Sequence, residues 1–352
     1  MEYKIDITER EFHFKQPAGT SRGIYTTRKS WFIRMSSPSF PGRTGIGECA
    51  PLPQLSCDDT PQYAKTLRAL CDKFEQEGAI DYALMRPYPS MLFGLETALL
   101  NLERGCTALF DTPFSRGEEG IPINGLVWMG SFDEMLKRME RKIEEGSRCI
   151  KLKIGAIDFD SELELLRRIR RRFSSREMTI RLDANGAFKY GATESPEEDA
   201  LYKLELLSQY AVHSIEQPIA ARQWGNMAEL CRESPLPIAL DEELIGVNRP
   251  DMKAQLLNII KPAYIVIKPS LHGGIKGTEE WVEAAKAHDV GTWVTSALES
   301  NIGLNAIAQL TAHIYGPNIS MPQGLGTGLL FEDNIDMPVS VRDNAIWYSP
   351  SF

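Results

Sequence analysis

Two lysines stand two residues apart in Lys151-Leu152-Lys153. In an extended strand a period of two puts both ammonium groups on one face, where like charges must be offset by a carboxylate or a bound anion. Their repulsion would lower at least one pKa toward the range in which an amine serves as a base. Three carboxylates follow: Asp183 in Asp183-Ala184-Asn185, Glu216 in Glu216-Gln217-Pro218 and Asp241 in Asp241-Glu242. Converging, they would offer three hard oxygen ligands with no companion His or Cys, a set suited to Mg²⁺. Taken singly, each is equally an N-cap for a following helix. Lys268, in Lys268-Pro269-Ser270, ends another apolar run. It is either a strand-end lysine snorkelling to solvent or a second cation facing a bound substrate from the other side. In residues 296–301, Ser296, Ser300 and Asn301 carry amides and hydroxyls that suit a carboxylate, or that simply cap the helix opening near Ile302. Together these residue types could supply an amine base, a divalent-cation site and a place for a carboxylate.

What would bring them together is the repeat in which they sit. From residue 121 onward a short apolar run, a polar or glycine-bearing loop and a longer amphipathic segment recur. Strands are expected at 121–127, 149–154, 178–183, 212–216, 238–241, 264–268, 291–296 and 319–321, with helices such as 161–173 and 278–288 outside them. Eight such units predict an α/β fold of the TIM-type, a (β/α)8 barrel, with a doubly wound sheet as the alternative. In a barrel the carboxyl ends of consecutive strands lie side by side, so Asp183, Glu216 and Asp241 would meet, with Lys268 across from the lysine pair. Residues 1–60 read as a strand meander and 61–109 as helices, without βα alternation. The expected organisation is an N-terminal α+β capping domain over 1–115, the barrel over 116–325, and a C-terminal segment, 326–352, whose strand-like stretch at 338–348 returns to the capping domain.

Composition narrows the partners. Apolar residues make up 43% and charged residues 25% of 352, an ordinary globular balance, and the net charge of -9 argues against nucleic acid or an anionic membrane. The amino terminus alternates polar and apolar residues instead of presenting a signal segment, and no apolar run is long enough to span a bilayer. Six scattered cysteines without a C-x-x-C pair suit a reducing cytoplasm. The five histidines form no i,i+4 pair, which disfavours zinc hydrolase chemistry. Residues 324–328, Gly-Leu-Gly-Thr-Gly, lack the P-loop lysine and read as a flexible loop. The arginine run at 167–172 shares its helix with Glu162 and Glu164 and reads as a solvated face.

With Lys-x-Lys on the second strand, Asp, Glu and Asp on the third to fifth and Lys on the sixth, the chain resembles the muconate-lactonizing-enzyme subgroup of the enolase superfamily over essentially its whole length. Residues 45–53, Gly-Ile-Gly-Glu-Cys-Ala-Pro-Leu-Pro, resemble that subgroup's capping-domain segment G-x-G-E-x-A-P-L-P. Residues 296–304, SALESNIGL, are similar to the S-x-x-E-S-x-x-G-L segment of o-succinylbenzoate synthases, and 324–328 lack the D-x-D of dipeptide epimerases. The resemblance implies a Mg²⁺-dependent, or Mn²⁺-dependent, syn dehydration of 2-succinyl-6-hydroxy-2,4-cyclohexadiene-1-carboxylate through an enediolate. Sites of this superfamily are themselves the standard example of a lysine or histidine base working beside a metal-stabilised enediolate. It implies Asp183, Glu216 and Asp241 as metal ligands, Lys153 as base and then acid, Lys151 as the cation beside it, and Lys268 as a cation over the flat intermediate. Asn185 and Glu242 would orient ligands or metal waters. Ser296, Ser300, Asn301, Gly324 and Leu325 would touch substrate, and the capping domain would close the barrel mouth through the loop at 20–25. A racemase of N-acylamino acids or a dipeptide epimerase using the same lysines, and a non-catalytic binding protein on a retained barrel, are the rival readings. A small carboxylate is the only partner expected, with oligomeric state left open.

Overall fold

The computed structural model describes residues 2–20, 23–191, 195–328 and 330–351. The chain opens with an antiparallel meander, β1 (Lys4–Thr20), β2 (Gly23–Ser36) and β3 (Gly45–Cys49). Helices α1 (Tyr63–Glu77), α2 (Tyr82–Met85) and α3 (Pro89–Arg104) follow, and Leu67, Phe74, Met91 and Leu95 bury against Ile5, Ile33 and Met35 of the sheet. β3 lies so close to α3 that only glycine fits. A Cβ on Gly47 would stand 1.9 Å from the Gly94 carbonyl oxygen, and one on Gly45 2.0 Å from that of Ala98. That close approach accounts for the two glycines of the 45–53 motif. Of the loop expected over the barrel mouth at 20–25, residues 21 and 22 lie outside the described residues.

After β4 (Ile121–Pro122) come the barrel strands β5 (Gly125–Val127), β6 (Cys149–Lys153), β7 (Thr179–Asp183), β8 (Ser214–Glu216), β9 (Ile238–Leu240), β10 (Tyr264–Ile267) and β11 (Gly291–Val294). They form one parallel sheet in strict sequence order, joined by α4 (Phe132–Glu144), α5 (Phe159–Arg172), α6 (Ala200–Ser208), α7 (Trp224–Glu233), α8 (Pro250–Ile260), α9 (Gly274–Ala287) and α10 (Asn301–Tyr315). Polar caps start several of these helices: Ser131 and Glu134 make a capping box on α4, and Asp158 and Asp199 cap α5 and α6. Ile150, Leu152, Ile180, Leu182 and Ile215 face outward into the helix layer and are essentially inaccessible. The alternate positions, Lys151, Lys153, Arg181 and Asp183, therefore face the barrel axis.

The eighth strand is not where the apolar run at 319–321 suggested. Gln323 bridges Ile123 and Gly324 bridges Thr295, both in parallel, so two residues close the ring between the first and seventh strands. The Gln323 side chain extends this short strand: its Oε1 accepts from Val294 N at 2.7 Å and its Nε2 donates to Met321 O at 2.8 Å. The C-terminal stretch also departs from expectation. β12 (Val339–Arg342) and β13 (Ala345–Tyr348) turn through Asp343 and Asn344, both at positive φ as a two-residue hairpin requires. β13 pairs with β4, placing inaccessible Ile346 opposite Ile121, rather than with the capping sheet. The segment before it touches the cap through Lys15 N to Leu330 O and Glu332 N to His13 O, and β13 meets it at Thr107, whose Oγ1 lies 2.9 Å from the Tyr348 hydroxyl.

Cap and barrel share a buried junction. Phe12, Phe32 and Leu52 of the cap pack with Leu271, Ala297, Leu298 and Phe331. Two capping-domain glutamates reach the amino ends of barrel helices. Glu96 of α3 accepts from Ile275 N at 2.5 Å and Lys276 N at 3.0 Å on α9. Glu48 of β3 accepts from Ser300 N at 3.0 Å and Gly303 N at 2.9 Å on α10. Each supplies acceptors that the helix start lacks. Burial outweighs these bonds at Glu96 and pushes its carboxyl up to about 8. The folded protein thus holds a proton that the unfolded chain releases near its ordinary value, so this contribution to stability is full below that value and lost as pH rises through about 8. Chemical denaturation from pH 5 to pH 9 should show wild-type stability falling relative to Glu96→Gln. A constant difference between the two proteins across that range would refute this account of the junction.

Candidate active site

Lys153, Asp183 and Glu216 occupy one row across β6, β7 and β8, because the parallel register sets Lys153 beside Asp183 and Asp183 beside Glu216. Asp241 and Lys268 come immediately after β9 and β10, at the same end of the sheet. The side chains close on one another. Lys151 Nζ lies 2.6 Å from Glu216 Oε2 and 2.9 Å from Asp183 Oδ2. Lys153 Nζ donates to Asp183 Oδ2 at 2.5 Å and to Asn185 Oδ1 at 2.7 Å, and Asn185 Nδ2 donates on to Glu242 Oε1 at 2.9 Å. Lys268 Nζ donates to Asp241 Oδ2. Asp183 and Asp241 are inaccessible, and Glu216 nearly so.

The charges set one another. Burial pulls Lys151 down, but Asp183, Glu216 and Asp241 outweigh it and raise its pKa. Carboxylates from three other strands therefore hold Lys151 as the ammonium. Burial likewise opposes Lys268, and Asp241, Glu216 and Glu242 raise it. Burial works against ionised Asp183, yet Lys151 and Lys153 hold it far below the usual carboxylate range. Burial, with repulsion from Asp183, pushes Glu216 up to about 8, and burial also raises Asp241 and Glu242.

The donor set fits a hard divalent cation. Glu216 Oε1, Asp241 Oδ1 and Glu242 Oε2 are buried carboxylate oxygens without a hydrogen-bond partner, a costly arrangement unless something positive meets them. Among the described residues no three such side chains stand at metal-ligand spacing of one another, since the ammonium groups are folded onto the carboxylates. A bound cation would compete with those lysines for the same oxygens.

The five residues expected to touch substrate are already engaged. Ser300 Oγ donates to Glu48 Oε2 at 2.5 Å while capping α10 through Ile302 N, and Asn301 is bonded to Asn334 and to Ile335 O. Leu325 is inaccessible in the main core, Gly324 N donates to Val294 O in the ring closure, and Ser296 Oγ pairs with Thr327 Oγ1 at 2.5 Å. Glu48, which the sequence places 252 positions from Ser300, covers the amides of the helix start at Ser300 and Gly303. Buried Arg28, which donates to Ala50 O and Ala297 O at 2.7 Å each, and Glu299, which accepts from Ser270 Oγ, were not foreseen. In the sequence, Glu48 and Glu299 stand out only as letters of the 45–53 and 296–304 motifs.

Residues 134–349 match the family model "Enolase C-terminal domain-like", and residues 21–102 match "MenC, N-terminal domain". The chain is 44% identical to an o-succinylbenzoate synthase of Desulfotalea psychrophila, over 96% of this chain and 97% of that one. The crystal structure of MenC from Desulfotalea psychrophila superposes with a TM-score of 0.81 at 37% identity, covering 99% of this chain and 100% of that one. The L-Ala-D/L-Glu epimerase of Bacillus subtilis shares the fold, with a TM-score of 0.78 at 20% identity over 99% and 97% of the two chains. Cap and barrel each match a model of their own, and one relative matches nearly end to end: the chain belongs to the o-succinylbenzoate synthase family of the enolase superfamily.

Proposed function

We propose that the protein catalyses the dehydration of 2-succinyl-6-hydroxy-2,4-cyclohexadiene-1-carboxylate to o-succinylbenzoate in menaquinone synthesis, with Mg²⁺ bound by Asp183, Glu216 and Asp241. The relative that is 44% identical supports the substrate. The observation that carries the mechanism is the pair of hydrogen bonds from Lys153 Nζ, to Asp183 at 2.5 Å and to Asn185 at 2.7 Å. An ammonium has three N–H donors and a neutral amine two. With two donors held by Asp183 and Asn185, the third position is the one that exchanges a proton with substrate.

Lys153, entering as the neutral amine, takes the proton from the ring carbon that bears the carboxylate. The same ammonium then delivers a proton to the departing 6-hydroxyl, water leaves, and the ring becomes aromatic. The cation, when bound, supplies electrostatic stabilisation of the charge that gathers on the substrate carboxylate. Lys151, held between Asp183 and Glu216, adds positive charge beside that carboxylate. Lys268, fixed by Asp241, brings a cation from the sixth strand. Asn185 keeps Lys153 aimed, and Glu242 fixes the Asn185 amide. All six cysteines are free thiols, which supports a reducing, cytoplasmic setting.

Incubation of the purified protein with the cyclohexadiene and Mg²⁺ should bleach the diene absorbance, and EDTA should stop it. Folded, metal-loaded protein that leaves the diene intact, yet exchanges the α-proton of N-succinylamino acids with deuterium, would move the assignment to racemisation by the same lysines.

A further inference from the structure

Gln217 links all three strand ends that carry the carboxylates. It follows Glu216 directly on the fourth barrel strand, is completely buried, and adopts a left-handed backbone with φ at 40°. Such a conformation is strained for a non-glycine residue and persists where surrounding contacts enforce it. Its side-chain Oε1 accepts from Asp241 N at 3.2 Å and Glu243 N at 3.3 Å at the end of the fifth strand. Its Nε2 donates to Ile219 O at 3.0 Å and Glu243 Oε2 at 3.2 Å. Its backbone carbonyl accepts from Gly186 N at 2.7 Å, in the loop that follows Asp183, and its own N–H donates to Ala239 O at 2.9 Å. Both acceptor sites and both donors of the amide are used, so neither Glu nor Met can reproduce the pattern: Glu loses the donors and meets Glu243, and Met loses all four bonds.

We propose that Gln217 is a positioning residue that sets the mutual spacing of Asp183, Glu216 and Asp241 for the divalent cation. This rests on the reading of those three as its ligands. Gln217 touches neither substrate nor cation. It acts by fixing the peptide of Asp241 against the turn after Glu216, while its carbonyl pins the turn after Asp183. Partners that orient metal ligands in this way change affinity by about ten- to a hundredfold when removed.

The test is Mn²⁺ binding to metal-free protein, followed by the EPR signal of free Mn²⁺, for wild type, Gln217→Met, Gln217→Glu and Asp183→Asn, at a temperature where each is folded by circular dichroism. Both Gln217 variants should bind Mn²⁺ about ten- to a hundredfold more weakly. Turnover of Gln217→Met should return to within a few-fold of wild type at saturating Mn²⁺, because only the spacing is disturbed. A variant that melts earlier but binds Mn²⁺ as wild type does has lost a packing residue alone, and the proposal falls. If Asp183→Asn also binds as wild type, the ligand assignment itself is wrong. Weak binding by Asp183→Asn with normal binding by Gln217→Met would overturn only the positioning role. Should Gln217→Met fail to fold, Glu243→Gln loosens the amide from its far side. Weakened Mn²⁺ binding there supports the proposal, and unchanged binding refutes it.

Discussion

Lys153→Ala is expected to lower turnover by about 10³- to 10⁴-fold while leaving the protein folded and able to bind metal. General acid–base catalysis by a positioned side chain contributes about 10²- to 10⁴-fold, and the upper end applies because one amine both takes and returns a proton. The fold should survive because Lys153 is not the sole partner of its carboxylate: Lys151 Nζ remains 2.9 Å from Asp183 Oδ2. Truncation frees Asn185 Oδ1, but the other end of that amide is held by Glu242. The check is single-turnover decay of the diene with circular dichroism and Mn²⁺ binding on the same sample. Retention of more than a tenth of the wild-type rate would remove Lys153 from its role and direct attention to Lys268.

The elements that position this chemistry were legible because their signals are local. Lys151 and Lys153 alternate with Ile150 and Leu152, so a period of two alone puts both lysines on one face. The strand-end places of Asp183, Glu216 and Asp241 follow from short apolar runs, and their convergence follows from chain order in a parallel barrel. What escaped depends on partners distant in sequence. The run at 319–321 looks more like a strand than Gln323–Gly324, yet closure needs only two residues there, with a polar side chain completing the hydrogen bonding. Ser300 and Asn301 present the amides of a helix start, and no local pattern says that Glu48 and Asn334 will occupy them. The hairpin at 339–348 alternates in the same way whichever sheet it joins; burial of Ile346 beside Ile121 selects β4, just before the barrel. The rise at Lys151 is illegible in the sequence for a related reason: Asp183, Glu216 and Asp241, which outweigh its burial, come from other strands.

Glu216→Gln should cost about a thousandfold in turnover, about 4 kcal/mol at 1.36 kcal/mol per factor of ten, and still give a metal-free protein at least as stable as wild type. The two effects separate because Glu216 serves the cation at the expense of the fold. Its Oε1 is buried with no hydrogen-bond partner, and the residue is 2% exposed beside Asp183 and Asp241. Four carboxylates, counting Glu242, crowd three ammonium groups in this cluster, and burial with repulsion pushes Glu216 up to about 8; glutamine is neutral without the proton that the metal-free carboxyl must take up. Glutamine keeps the shape and still offers a carbonyl oxygen to Lys151, which also retains Asp183 at 2.9 Å. With Mg²⁺ present the order should reverse: wild type gains thermal stability from the ion by mass action and the variant gains far less. Melting temperatures with EDTA and with Mg²⁺, read beside turnover, test both halves at once. A variant less stable than wild type in EDTA would mean that Glu216 holds the barrel together through Lys151. A variant with full turnover would mean that Asp183 and Asp241 bind the cation without it.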